Sequence, residues 1–143
     1  MAPSAASASS VGYSGTPLVQ KLGIKPGFKI AIRNPPNDYD ALVSPLPEGV
    51  RLLRRLTTDL DLIHLFTRSR AELARSLPDL MQRIQPAGMI WVSWPKKASK
   101  VPTDVTEDVV RAEALPLGLV DVKVCAVDQV WSGLKLVIRK ENR

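Results

Sequence analysis

Cysteine and histidine are nearly absent from this chain, whose 143 residues hold one of each, Cys125 and His64. A single cysteine excludes an internal disulfide and fits a reducing compartment. One cysteine with one histidine cannot assemble a zinc site from the usual soft ligands, so no metal site is expected. No apolar run reaches the length of a membrane span, and no membrane partner is expected. The opening residues 1–10 are rich in Ala and Ser but lack the basic start and apolar centre of a secretory signal. The reading is a cytoplasmic protein with a disordered tail over residues 1–12 and a single α/β domain over residues 13–143.

What is present is ordinary for a globular domain: 45% hydrophobic and 24% charged residues, in a length that suits one core. The charge is less ordinary. A formal net charge of +6 favours acidic partners, among them nucleic acid, phosphorylated metabolites, an anionic membrane or an acidic protein, and the partner expected here is an acidic protein or an anionic small molecule. The plain alternative is a solvated basic surface that maintains solubility.

Along the chain, Thr16, Pro17 and Gly23 frame one short helix as cap, first position and left-handed stop. Phe28-Lys29-Ile30-Ala31-Ile32-Arg33 alternates as a strand. A short helix is expected over residues 38–43, a second strand over 50–56, and a third, almost wholly apolar, over 61–67. Ser69-Arg70-Ala71-Glu72 has capping-box spacing and opens a helix with Leu73, Leu77, Leu80, Met81 and Ile84 on one face. Pro78 should kink or split that helix. Pro86-Ala87-Gly88 reads as a turn into a strand over 89–94. Thr103-Asp104 reads as the start of another helix, with Val105, Val109 and Ala112 inward. Residues 120–127 and 134–139 close the chain as strands, and their short link requires them to be antiparallel. The predicted fold is α/β: a doubly wound, mainly parallel sheet of about six strands with an antiparallel C-terminal hairpin.

Two resemblances follow. Leu22-Gly23-Ile24-Lys25-Pro26-Gly27-Phe28-Lys29-Ile30 resembles the approach to the first strand of the Rossmann-like S-adenosylmethionine methyltransferases. Residues 80–90, with Gln85-Pro86-Ala87-Gly88 at their centre, resemble the segment leading into a later strand, and the closing hairpin is also similar. Separately, Tyr13-Ser14-Gly15-Thr16-Pro17-Leu18, Trp94-Pro95-Lys96-Lys97-Ala98-Ser99, Val124-Cys125-Ala126-Val127-Asp128 and Trp131-Ser132-Gly133-Leu134 resemble a small bacterial family, domain of unknown function 3052. That second resemblance implies a fold and carries no activity with it.

The first resemblance implies a cofactor loop that this chain lacks. In those methyltransferases a glycine-rich turn lets the backbone approach the cofactor and exposes helix N–H groups. Here the turn is Arg33-Asn34-Pro35-Pro36-Asn37, without glycine and with two residues that have no N–H. Where an acidic side chain would hold the ribose hydroxyls stand Arg54 and Arg55. No cofactor is therefore expected.

Other chemistry-bearing residues have plain readings. Asp59 and Asp61 form a possible carboxylate pair but sit in turn context at a strand entrance. His64 lies in an apolar run without an acid or nucleophile beside it in sequence, and reads as a packed, hydrogen-bonded side chain. Cys125 reads as a small buried group. Arg51, Arg54 and Arg55 supply charge without a nucleic-acid motif, which argues against sequence-specific nucleic-acid binding.

In doubly wound sheets ligands bind beyond the C-terminal ends of the strands, where the winding reverses. Those ends carry Arg33, Asn34, Arg68, Ser69, Trp94, Lys96 and Lys97. If the first and third strands are neighbours, these loops converge on an anion site, with Trp94 stacking on a flat group and the Ser69 helix offering its N-terminus. The competing reading packs Trp94 in the core and leaves Lys96 and Lys97 as solvated loop charges. Three functions stay open: a non-catalytic interaction or regulatory domain, a binder of a small anionic metabolite or nucleotide, and a methyltransferase with an atypical cofactor loop. The first is favoured, with no catalytic residue assigned.

Overall fold

The computed structural model describes residues 15–143; the expected tail over residues 1–12 and the domain start at residue 13 lie outside the described residues. Six strands form one sheet: β1 (Lys29–Arg33), β2 (Arg51–Leu53), β3 (Leu60–Phe66), β4 (Ile84–Pro95), β5 (Leu119–Ala126) and β6 (Trp131–Ile138). Their spatial order is β2-β1-β3-β4-β6-β5. The pairs β1–β2, β1–β3 and β3–β4 are parallel, and β6 runs antiparallel to both β4 and β5. The expected architecture is the one observed, with the winding reversing between β1 and β3.

Both faces of the sheet are covered. Helices α3 (Arg70–Met81) and α4 (Glu107–Ala114) pack Leu73, Leu77, Leu80, Val110 and Ala114 against Ile63, Leu65, Ile90 and Val92. Helices α1 (Leu18–Leu22) and α2 (Tyr39–Leu42) place Leu18, Leu22 and Tyr39 against Leu62, Phe66 and Trp91 on the opposite face. Because side chains alternate along a strand, β3 is apolar at almost every position.

Local departures from the sequence reading have physical causes. Thr16 does not cap α1; Pro17 holds that position, and Gly23 ends the helix at φ 79°. β2 is three residues long, shorter than the apolar pattern over 50–56 suggested, so Arg54 and Arg55 lie beyond the strand. Pro78 does not split α3: it sits on the exposed side, where water can satisfy the Ala74 carbonyl that lost its partner. Pro86-Ala87-Gly88 is a bulge inside β4, since Leu60 pairs with Ile84 while Leu62 pairs with Met89. Helix α4 is capped by Thr106, whose hydroxyl accepts from the Val109 N–H at 3.2 Å. That later start rotates the buried stripe to Val110 and Ala114, while Val105 is buried just ahead of the cap in a staple position.

Candidate functional site

The C-terminal ends of β1 and β3 meet through the side chain of Asn34. This residue follows β1 in the left-handed region, at φ 57°, a conformation asparagine tolerates better than most residues. Its Nδ2 donates to the Phe66 carbonyl at 3.1 Å and to Glu72 Oε2 at 3.2 Å. The crevice at the winding reversal is thus bridged from one strand end to the first turn of α3.

In that turn the Arg70 and Glu72 N–H groups are already bonded within the chain. Ser69 Oγ accepts from the Glu72 N–H at 3.1 Å, as the capping spacing predicts. Glu72 closes the box through an intermediary: the Ser69 N–H donates to Thr67 Oγ1 at 3.1 Å, and Thr67 Oγ1 donates to Glu72 Oε1 at 2.5 Å. From the loop before α4, Asp104 Oδ1 accepts from the Arg70 N–H at 2.7 Å, while Thr103 Oγ1 donates to the Arg68 carbonyl at 2.8 Å. Two carboxylates of the chain, Glu72 and Asp104, therefore occupy the helix N-terminus that the sequence reading offered to an external anion. Neither was singled out in the sequence for that role. The capping-box spacing was the available signal for Glu72; Asp104 comes from a separate loop and had none.

Of the seven residues expected to form a site, Asn34 and Ser69 are brought together around Glu72. Arg33, Arg68 and Lys97 are exposed and Lys96 is half-buried at the same sheet edge, and among the described residues none of the four forms an ion pair. No hydrogen bond links Lys96 or Lys97 to Asn34 or Ser69 among the described residues. The Lys96 N–H instead donates to the Val130 carbonyl at 2.7 Å.

Trp94 is not available for stacking. It is 7% exposed and packs in the core under α3 and α4, because position 94 shares the face of Ile90 and Val92. The aromatic side chain at this edge is the half-buried Trp131, which pairs in register with Pro95 and meets Phe66 edge-on at 5.0 Å. Only the hairpin register brings it there.

Beneath this edge lies a buried polar chain. Tyr39 OH is 2.9 Å from His64 Nδ1, and His64 Nε2 is 2.7 Å from Ser93 Oγ. The imidazole stacks on Phe66 with ring centroids 4.2 Å apart. Burial holds its pKa down at about 3, so it is neutral, and it raises that of the Tyr39 phenol. A neutral imidazole has one N–H and one lone pair, which a hydroxyl on each side satisfies in either tautomer. With no exposed surface on His64 or Ser93, this chain braces α2 against the sheet.

The remaining candidates sit elsewhere. Asp61 Oδ2 accepts from the Lys29 N–H at 2.8 Å and Asp59 adopts φ 56° in a turn, both at the end of β3 remote from the crevice. Cys125 is half-buried and its thiol pKa is raised by burial against the opposing pull of Lys21 and Lys123. Among the described residues no group of three or more His, Cys, Asp or Glu side chains is placed to hold a metal. No helix among them is long and apolar enough to cross a membrane.

Comparison with solved structures identifies the fold. A SAM-dependent methyltransferase from Aquifex aeolicus superimposes with a TM-score of 0.63 at 12% identity, covering 85% of this chain and 88% of that one. The complex between the Haloferax volcanii Trm112 methyltransferase activator and the putative methyltransferase matches with a TM-score of 0.61 at 10% identity, over 85% of this chain and 86% of that one. Aeropyrum pernix fibrillarin, solved with natively bound S-adenosyl-L-methionine, gives 0.58 at 13% identity, over 84% and 73%. The fold is methyltransferase-like. No family model matches the chain, and no curated protein matches it in sequence.

Proposed function

We propose that this chain is a non-catalytic interaction domain on a methyltransferase-like scaffold, presenting a row of cations at its strand-end edge to an acidic partner protein in the cytoplasm. The observation that carries the reading is the bridge from Asn34 to Glu72 across the winding reversal. A cofactor loop needs free N–H donors and close backbone approach at that point. This chain supplies Pro35 and Pro36, an asparagine side chain spanning the gap, and a helix start already neutralised by its own carboxylates. Beyond β2, where an acid would meet ribose hydroxyls, stand Arg55 and Arg54, the latter paired with Asp40 at 2.7 Å. These residues do not fit S-adenosylmethionine. Kinship with the small bacterial family named above belongs to the same reading, since its resemblance runs through Lys96 and Lys97.

Arg33, Arg68, Lys96 and Lys97, which form no ion pair among the described residues, suit an extended acidic surface better than a closed pocket. Calorimetry with S-adenosylmethionine up to about 1 mM should show no saturable heat. Poly-L-glutamate should bind in a salt-sensitive way, and replacing Lys96 and Lys97 with serine should weaken that binding. A saturable micromolar site for the cofactor would overturn the reading in favour of a methyltransferase with an atypical loop.

A further inference from the structure

A second basic feature lies away from the strand-end edge, on the α1 side of the C-terminal hairpin. Lys123 on β5 and Lys135 on β6 are directly opposite each other in the antiparallel register. Cys125 and Val137, each two residues along the same strands, pack in the α1-side core, so alternation places both lysines on that face. Side chains opposite in such a pair have Cβ atoms roughly 5 Å apart, and like charges there are destabilising. Among the described residues no ion pair reaches Lys123, Lys135 or the nearby Lys25. Partial burial holds the Lys135 ammonium below its ordinary range, and Lys123 and Lys25 push it the same way. Arg111 and Asp121, the closest ion pair along β5, bond to each other on the opposite face at 2.8 Å.

This repulsion sits beside a cavity. A groove of ≈ 410 Å³ runs between α1 and β5, with Thr16 and Gln20 on one wall and Lys123 and Cys125 on the other. Lys21 is held over its end by donating to the Ala126 carbonyl at 3.0 Å. The wall combines the ammonium groups of Lys21 and Lys123 with a hydroxyl and an amide, and Lys135 adjoins it through its pairing with Lys123.

We propose that this groove binds a small phosphate-bearing molecule, whose phosphate sits at the rim between Lys123 of the lining and its cross-strand neighbour Lys135, and whose polar remainder meets Thr16 and Gln20. Lysines act on phosphate as point charges, and an anion between two facing ammonium groups turns a destabilising pair into a favourable triad. A small molecule suits the groove's few clustered polar groups, whereas the row of cations at Arg33 and Lys97 suits a protein surface. The two sites are separate, and either can stand without the other.

The test uses the full chain and pyrophosphate as probe, at ionic strength matched with chloride. Amide chemical-shift mapping should place the response at residues 20–21 and 123–126, leaving residues 33–34, 68–69 and 96–97 unmoved. Lys123→Gln should weaken pyrophosphate binding about tenfold, the effect of losing one charge-assisted contact. The same variant should melt higher than the parent in phosphate-free buffer, because one side of the repelling pair is gone. Lys135→Arg, which retains the charge, should keep most of the affinity. Shifts centred on residues 33–34 or 96–97, or an affinity unchanged in Lys123→Gln, would overturn the proposal. Lys123 is exposed, so this variant does not depend on a change in the core. General salt exclusion acts over the whole surface and would survive the substitution, which separates it from binding.

Discussion

Asn34 and Glu72 are joined across the crevice at the winding reversal, the amide of one donating to the carboxylate of the other at 3.2 Å. The contact ties the loop after β1 to the first turn of α3, and it stands where a nucleotide-type ligand of this fold class would enter. The same amide also reaches the Phe66 carbonyl, so one side chain closes a gap between two parallel strands.

Replacing Asn34 separates its two duties. Asn34→Gly keeps the left-handed backbone at little strain but removes both side-chain bonds, one of them to a carboxylate. Urea denaturation should show a loss of about 1–2 kcal/mol. Asn34→Ala should lose more, because it adds the cost of a positive φ to the missing bonds. Equal stability in the parent and the glycine variant would mean that the bridge contributes nothing.

The buried His64 makes stability depend on pH in a defined window. Its folded pKa of about 3 lies below the ordinary 6.5, so between these values the unfolded chain binds a proton that the native state refuses. This contribution is fully present above pH 6.5 and is lost as pH falls from there towards 3, at up to about 1.4 kcal/mol per pH unit. The Asp121 carboxyl, lowered chiefly by its bond to Arg111, loses its contribution only below its ordinary 3.8. The slope between pH 4 and 6 should therefore flatten in His64→Gln. An unchanged slope in that variant would remove the imidazole from the explanation.

Gly88 is required by close approach within the bulge of β4. A Cβ there would lie 3.0 Å from the Gln85 carbonyl oxygen, the Ile84 Cβ and the Leu60 carbonyl oxygen. Two of those three atoms are backbone and cannot rotate away. Gly88→Ala should cost about 2–3 kcal/mol, measured as a lower urea midpoint at constant slope. A neutral substitution would show that the bulge relaxes freely.

Periodicity and capping carried far in this chain. The alternation of residues 28–33, the apolar run at β3 and the capping spacing at Ser69 are local signals, and each element formed where they lie. The parallel order with a closing hairpin followed from loop lengths, because a short link cannot carry a parallel crossover. The phase of α4 did not follow: the helix is capped by Thr106, while Thr103 closes a tight turn before it, accepting from the Val105 N–H at 3.0 Å and donating to the Arg68 carbonyl of another loop.

The candidate site divides in the same way. The sequence alone shows a glycine-free turn after β1 and arginines in place of an acid after β2, because covalent facts such as a missing N–H need no partner. Which face Trp94 occupies, whether cations meet, and what fills the start of α3 are questions of non-local distance. Asn34 and Glu72 are 38 positions apart, and Lys123 faces Lys135 only through the hairpin register. Hydrogen bonds and charge repulsion act over a few ångströms of space whatever the separation along the chain, so only the packed sheet decides which of these side chains meet.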